Sequence, residues 1–336
     1  MMERLRALPG WWRVVAAIVV LVAIMAIVPI FGSGAAVFFW GSVAVTALYA
    51  MSVNLLIGVA GIPSFGQAAY FGIGAYAVGV LHHEGLPILL VLLVAVLAAG
   101  LAAAVVAALG LRATGLAFSM LTLAFAQALY TLVFQLDTFG GENGIVGLLP
   151  ESVLGIDLTD GTSLWLFTMT MVVVGIGGLW LLQHSPFGRT LMMIREDPAR
   201  TRALGIQVRR YEIAAFAAAG AAAGLAGALF AYVQGLVVPE YLFWTRSGEP
   251  ILMSIIGGMR HFFGPVVGSV IYRWSVDVLS DITAAWVLWV GLAFLVIVLA
   301  APGGLLGLPA QIRSWRSRRA IAPPSVTPVE SLGDES

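Results

Sequence analysis

Long apolar runs separated by short polar stretches make up most of the chain. Each run has close to the roughly 20 residues that a helix needs to cross the hydrocarbon core of a bilayer. The runs are continuous and do not alternate between apolar and polar positions, which favours membrane helices over the strands of a membrane barrel. From the N-terminus they are Val14–Phe31, Ala36–Gly58, Gly66–Leu81, Leu86–Leu109, Leu116–Leu136, Ser163–Leu182, Ile213–Leu236 and Ala284–Ala301.

The region Pro250–Trp274 is too interrupted for a single clean helix. Two short apolar runs, Ile251–Ile256 and Val266–Tyr272, flank a stretch that is rich in glycine and contains a proline. Two short crossing helices would give about ten spans in all, whereas a re-entrant pair would leave about eight full spans. The sequence therefore predicts an all-α polytopic membrane protein with about 8–10 transmembrane helices and a broken or re-entrant region.

Composition and charge agree with this fold class and add an orientation. The chain is 60% hydrophobic and only 10% charged, whereas a soluble domain carries about a quarter charged residues. Cytoplasmic loops of membrane proteins collect basic residues. The N-terminus, Arg112, the segment 185–212 and the C-terminal tail are basic, so we expect both termini in the cytoplasm. The segment 137–162 holds five acids and no basic residue, and is predicted to be external.

This orientation gives a simple division of the chain. Residues 1–312 are predicted to form one transmembrane domain, with 185–212 as a cytoplasmic loop and 137–162 as an external segment. Residues 313–336 are rich in proline, serine and charged residues, a composition typical of a disordered tail.

The segment Ser185–Glu212 is unusual among membrane loops because it carries six arginines together with helix signals. Ser185 is a candidate N-cap with Pro186 at the first helical position. Asp197 is a candidate N-cap for a second short helix that would end at Gly205. A basic loop is enough to fix orientation, but two capped helices exceed that need. We therefore favour a docking element for a soluble partner.

The residue types that are absent exclude several classes of function. All seventeen basic residues are arginine, so the chain has no lysine for a Walker A loop or a Schiff base. It has no cysteine, and its four histidines show no metal-ligand spacing. We expect a protein that is not an enzyme and binds no metal, cofactor or nucleic acid. If ATP drives its activity, partner subunits use the ATP.

The stretch Asn54–Gln67 combines helix-breaking glycines and a proline with polar side chains. Asn54, Ser64 and Gln67 can pair with the backbone groups that a break sets free, or can face a polar solute. A tight capped loop and a broken helix lining a transport path are both consistent with these residues. Together with Gln127 in a later span, they are the candidate residues of a translocation path.

Ionisable side chains at mid-membrane depth mark proton relays and ion pathways. The predicted spans contain essentially none, because Glu84, Glu249, Asp277 and Asp281 fall near predicted span ends. This pattern argues against a proton-coupled carrier, although a sodium-coupled carrier with carbonyl ligands stays open. The small residues of Gly220–Gly227 predict close helix packing, either within the chain or with a partner subunit.

Several stretches carry a resemblance to a known family. They are Asn54–Leu81, Leu111–Gln127, Gly140–Leu148, Ser185–Tyr232, Ile255–Ile271 and Ala301–Leu308. In these stretches the chain resembles the inner-membrane permease subunits of branched-chain amino acid ABC importers. It is similar to the longer of the two paralogous permeases of such systems, and the likeness runs over most of the chain.

The resemblance implies a set of partners in a bacterial inner membrane. These are a second permease (a paralogue or a second copy), two ATP-binding subunits, an extracytoplasmic binding protein that delivers the solute, and the membrane lipid. Glu196, Ala199, Ala203 and Gly205 match the cytoplasmic loop that meets the ATPase in this family.

The sequence is also consistent with a permease for urea or short amides and with a stand-alone secondary carrier. The chain departs from the family pattern at Pro63, where a polar residue is common, and at Gly303, where a basic residue is common. The first departure bears on substrate choice and the second on a cytoplasmic contact.

Overall fold

A computed structural model of the chain describes residues 33–113, 115–150, 152–153, 155–300 and 303–307. The predicted first span, Val14–Phe31, and the tail predicted to be disordered lie outside the described residues. The predicted cytoplasmic location of both termini therefore remains a prediction.

The described residues form eleven α-helices. Five of them are long and apolar enough to cross a membrane: α1 with the π-helical turn that follows it, α3, α4, α5 and α8. The helices are α1 (Gly34–Asn54), α2 (Gln67–His82), α3 (Ile88–Gly110), α4 (Leu116–Gln135), α5 (Gly161–His184), α6 (Pro186–Glu196), α7 (Pro198–Ala203), α8 (Val208–Gln234), α9 (Gly248–Gly257), α10 (Gly264–Ile282) and α11 (Trp286–Ala300).

The strands are short and lie in or beside the predicted external segment. β1 (Ile145–Val146) pairs antiparallel with β4 (Leu236–Val237), and β2 (Ser152–Val153) pairs antiparallel with β3 (Ile156–Asp157). The β1–β4 pair fastens the external segment to the chain that leaves α8. These two-residue strands do not alter the architecture, and the prediction of an all-α polytopic membrane protein is confirmed.

Helix α8 forms the centre of the molecule and packs against α1, α2 and α3. Its glycines allow the close approach, since a Cβ at Gly224 would overlap Ala99 of α3 and a Cβ at Gly227 would overlap the carbonyl oxygen of Phe71 in α2. Small residues let membrane helices come near enough for extensive van der Waals contact. The neighbours of the Gly220–Gly227 face therefore lie within this chain, which answers the question that the sequence left open.

The interrupted region folds as an antiparallel helix pair. Helix α9 has 10 residues and α10 has 19, which correspond to lengths of about 15 and 28 Å. The helices meet through glycines, because a Cβ at Gly257 would overlap the carbonyl oxygen of Gly264 and a Cβ at Gly268 would overlap that of Met253. Only α10 has the length of a span, and the short α9 is preceded by 3₁₀ turns at Pro239–Leu242 and Trp244–Ser247.

Candidate transport path and docking segment

The chain between α1 and α2 is a broken helix. Helix α1 continues without a gap into a π-helical turn at Leu55–Ala60, and Gly61 then adopts a left-handed conformation with φ 74°. Such a positive φ is easily reached by glycine. The chain runs on without helical structure until α2 begins at Gln67. Because π turns disturb the regular backbone ladder and frequently occur at functional sites, this break is the first candidate site.

Side chains from two other parts of the fold hold the break in place. The Ser119 hydroxyl of α4 donates to the carbonyl oxygen of Pro63 at 3.0 Å, and the Phe65 N–H donates to Thr122 Oγ1 at 3.1 Å. At the start of α2, the Ala68 N–H donates to Ser247 Oγ at 2.9 Å. The break is therefore an ordered structure within the helix bundle.

Three of the four predicted path residues lie along this break and are buried there. Asn54 is 4% exposed, Ser64 is 1% exposed and Gln67 is fully buried. Ser64 Oγ accepts a hydrogen bond from the Gly66 N–H at 3.3 Å. Asn54 Oδ1 and both polar atoms of the Gln67 side chain have no hydrogen-bond partner among the described residues. Because such groups are costly when left unpaired, they are suited to bind water or a polar solute.

The fourth predicted path residue, Gln127, lies farther along α4. It is five residues beyond Thr122, or about 7.5 Å along the helix axis. Its Oε1 is buried and has no hydrogen-bond partner in the described part of the chain. The structure thus places Asn54, Ser64 and Gln67 along one break, and places Gln127 on α4, the helix whose side chains hold the break.

The arginine-rich segment folds into the two capped helices that its sequence indicates. Ser185 Oγ accepts from the Gly188 N–H at 3.4 Å, at the start of α6. Asp197 Oδ1 accepts from the N–H groups of Ala199 and Arg200 at 3.0 and 2.9 Å, at the start of α7. The chain then turns at Gly205, where φ is 82°.

The residues predicted to meet an ATPase form an exposed surface on this segment. We call Glu196, Ala199, Ala203 and Gly205 the docking surface, and all four are exposed. Leu204 beside them is 64% exposed. On the inner side of α6, Leu191 and Ile194 are buried in the core. Leu191 and Ile194 therefore anchor the segment to the core, while its outer surface stays accessible.

Arg195 links the docking surface to the broken helix. Its Nη1 donates a hydrogen bond to the carbonyl oxygen of Gly58 in the π turn. Its aliphatic stem lies over Gly61, where a Cβ would come into conflict with Arg195 Cγ. The sequence shows Arg195 as one of six similar arginines, and no local signal distinguishes the one that reaches 137 residues back along the chain.

A cavity lies between the break and the arginine-rich segment. It has a volume of about 830 Å³ and is lined on one side by Gly61 and Pro63 and on the other by Arg202, Arg209 and Glu212. The break therefore faces an open space on the predicted cytoplasmic side, with a mostly apolar lining and charged side chains on the wall opposite the break.

A second cluster of polar side chains lies near the start of α9. We call Arg246, Glu249 and Arg273 of this cluster the charged group. Arg246 Nη1 lies 3.1 Å from Glu249 Oε1, and the Arg246 guanidinium stands 5.8 Å from the centre of the Tyr241 ring. The Tyr49 hydroxyl of α1 donates to the carbonyl oxygen of Arg246 at 3.3 Å. On α10, Arg273 Nε is buried without a hydrogen-bond partner among the described residues.

The sequence placed Glu249 near a span end, and Glu249 is the second residue of α9. Its ion-pair partner Arg246 accepts a hydrogen bond from Tyr49, residue 16 of the 21 in α1, because the 3₁₀ turns before α9 lead the chain into the helix bundle. The available signal was the Arg246–Glu249 spacing of three residues within an otherwise apolar region, which allows an ion pair in one helical turn.

Comparison with known proteins identifies the family. A family model described as "Branched-chain amino acid transport system / permease component" matches residues 35–301. The chain belongs to this family. The match extends from α1 through α11, so it includes the break, the docking surface and the charged group of this permease, and it confirms the resemblance seen in the sequence.

Individual relatives agree with the family assignment. The permease is 27% identical over 281 residues to the high-affinity branched-chain amino acid transport system permease protein LivM of Escherichia coli (strain K12), which covers 76% of this chain and 66% of LivM. It is 25% identical over 242 residues to the probable branched-chain amino acid transport permease protein LivH of Methanocaldococcus jannaschii, covering 67% of this chain and 73% of LivH.

The name of a further relative states a different transported solute. The autoinducer 2 import system permease protein LsrC of Shigella flexneri is 30% identical over 176 residues, or 48% of this chain and 50% of LsrC. The matched region covers slightly less than two thirds of LivM, at 66%. No solved structure matches the chain.

The family and the apolar helices together confirm the prediction of a multi-pass protein of the inner membrane. The family is a transport component, in keeping with the expectation that the chain is not an enzyme. The described residues contain no group of three or more histidine, aspartate or glutamate side chains placed to hold a metal ion.

Proposed function

We propose that this permease is the membrane-spanning subunit of an ATP-driven importer for branched-chain amino acids or a similar small polar solute. The family description and the names of the LivM and LivH relatives support this proposal. A second permease, which is a paralogue or a second copy, and two ATP-binding subunits would complete the membrane complex. A binding protein on the outer side would deliver the solute.

The observation that carries the proposal is the hydrogen bond from Arg195 to the carbonyl oxygen of Gly58. An importer that is driven by a separate ATPase needs a mechanical link between the surface that the ATPase grips and the path that the solute takes. Arg195 provides such a link, since it follows the α6 residues that anchor the docking surface and contacts the broken helix directly.

The link suggests how nucleotide binding would change the path. An ATPase bound to Ala199, Ala203 and Gly205 would shift α6, and Arg195 would carry that shift to the π turn. The ATPase shifts the equilibrium between two permease states only if nucleotide-bound and nucleotide-free forms bind them with different affinity. The turn and its left-handed Gly61 are the elements that would rearrange, because their backbone is already irregular.

The break also offers the chemistry that a small polar solute needs. Asn54 and Gln67 present amide groups and Ser64 a hydroxyl, all without formal charge. Hydrogen bonds between these groups and the solute would replace bonds to water at modest net cost. A neutral lining binds weakly enough to release the solute after each cycle.

Reconstitution tests this proposal directly. The permease is incorporated into proteoliposomes with its second permease and ATP-binding subunits, and uptake of radiolabelled leucine is measured with and without ATP and the binding protein. We expect uptake only with all components present. Leucine uptake by the permease alone would contradict the proposal and establish a secondary carrier. ATP-dependent uptake of urea without uptake of leucine would retain the importer class and overturn the cargo.

A further inference from the structure

The Arg246–Glu249 ion pair lies at about half the depth of the helix bundle. Tyr49, which is bonded to Arg246, is the sixteenth of the 27 residues in the helix Gly34–Ala60. The antiparallel register of α9 and α10 places Tyr272 at the level of Glu249. Tyr272 is in turn the ninth of the 19 residues of α10. Two independent helices thus give the same intermediate depth.

Charges at this depth need an explanation. Ionisable side chains within membrane segments are costly in lipid, and they usually face the interior of the bundle or a water-filled path. The side chains of Arg246 and Glu249 are 37% and 28% exposed in the isolated chain. An ion pair that only held α9 in place would not need this exposure of its side chains.

Two arginines lie within electrostatic reach of Glu249. Glu249 lies within electrostatic reach of Tyr49, Tyr272 and Arg273 as well as of its partner Arg246. Two guanidinium groups therefore surround one carboxylate, and Arg273 Nε is buried without a hydrogen-bond partner in the described chain.

Asp277 is the other acid within electrostatic reach of Arg273. It lies one helical turn farther along α10, so it partly balances the charge of Arg273. With Asp277 counted, two arginines face two carboxylates. The group therefore stays neutral when it binds a zwitterion, whose own charges sum to zero.

We propose that Arg246, Glu249 and Arg273 form a binding station for the charged end of a zwitterionic amino acid. Arg273 binds the carboxylate of the solute, and Glu249 binds its ammonium group. Arg246 holds Glu249 in place and neutralises it while no solute is present. This inference rests on the proposed function and specifies its cargo, because a zwitterion offers both charges at one carbon, whereas urea offers neither.

The station is tested by leucine uptake in proteoliposomes that contain the complete complex. The variants Glu249→Gln and Arg273→Gln remove one charge each with little change in size. We expect each to lower the initial rate of uptake roughly tenfold or more, as the loss of a hydrogen bond to a charged group implies. The matched controls Asp281→Asn and Arg260→Gln remove exposed charges elsewhere on α10 and in the α9–α10 loop, and should retain uptake close to that of the unaltered complex.

A charge reversal separates binding from a purely structural ion pair. The double variant Arg246→Glu with Glu249→Arg preserves the attraction between the two positions but moves the carboxylate. We expect the complex to assemble and hydrolyse ATP while leucine uptake stays low. Uptake restored to the unaltered level would show that the pair only holds the fold, and would overturn the inference.

A cysteine probe keeps the test independent of whether the charge variants fold. The chain has no native cysteine, and Thr245 is exposed beside Arg246. With Thr245→Cys in the complete complex, saturating leucine and binding protein should slow modification by a water-soluble thiol reagent severalfold. An unchanged rate would overturn the station.

The outcomes also distinguish the station from the proposed function. If the unaltered complex takes up no leucine, both fail. If it takes up leucine, and the Glu249 and Arg273 variants behave like the Asp281 and Arg260 controls, only the station fails.

Discussion

The buried side-chain amide of Gln67 is evidence for the translocation path at the scale of one residue. Its side chain is fully buried at the first position of α2, and neither its oxygen nor its nitrogen has a hydrogen-bond partner among the described residues. A buried amide that lacks partners destabilises a fold. The permease therefore gains no stability from this amide, which fits a group that serves solute passage.

Replacing Gln67 with leucine should separate stability from transport. No protein hydrogen bond is lost, so we expect the melting temperature of the purified permease to stay the same or to rise. Leucine uptake by the reconstituted complex should fall by roughly tenfold, because the path loses one of its few polar groups.

Thr46→Val is the matched control for this prediction. The Thr46 hydroxyl is buried on α1 and donates to the carbonyl oxygens of Ser42 and Val43 at 2.8 and 3.0 Å. Its removal should cost about 1 kcal/mol of stability and leave uptake nearly intact. Normal uptake by the Gln67 variant would exclude Gln67 from the path.

At the scale of elements, the position of α8 depends on residues without side chains. Gly227 allows α8 to lie directly on α2, where a Cβ would overlap the carbonyl oxygen of Phe71. A backbone oxygen cannot rotate away as a flexible side chain can. Tight packing of this kind tolerates added volume poorly.

Gly227→Val should therefore lower the stability of the permease by about 1–3 kcal/mol or more. Scanning fluorimetry of the purified protein measures the shift in melting temperature. Gly177→Val is the control, because Gly177 is also within a helix and has no atom within 4 Å of an added Cβ. Equal melting temperatures for the two variants would contradict the packing that we describe for α8.

The docking surface is the second element with a direct test. Ala203 is exposed at the end of α7, so Ala203→Glu should leave the permease folded. A bulky charge at the centre of the surface should nevertheless prevent the ATP-binding subunits from co-purifying with it. Ala285→Glu, at an exposed alanine between α10 and α11, is the control that should retain them. If the complex with Ala203→Glu survives intact, the docking surface is wrongly placed.

At the scale of the whole molecule, the sequence predicted features that depend on residues close to one another along the chain. The apolar runs located most of the described helices to within about five residues, although α10 continues ten residues beyond the run Val266–Tyr272. The capping chemistry of Ser185 and Asp197 located α6 and α7. Contacts between distant segments could not be predicted in this way. The bond from Arg195 to Gly58 joins positions 137 residues apart, and the depth of Glu249 depends on how irregular 3₁₀ turns enter the bundle.

We propose that Arg195 couples the docking surface to the broken helix. The most direct test is the number of leucine molecules taken up per ATP hydrolysed by the reconstituted complex. Arg189→Gln is the matched control, since Arg189 is an exposed arginine on the same helix α6 and belongs neither to the docking surface nor to the cavity lining. We predict that Arg195→Gln still assembles and hydrolyses ATP but lowers this ratio roughly tenfold, while Arg189→Gln keeps the normal ratio. An unchanged ratio with Arg195→Gln would contradict the claim.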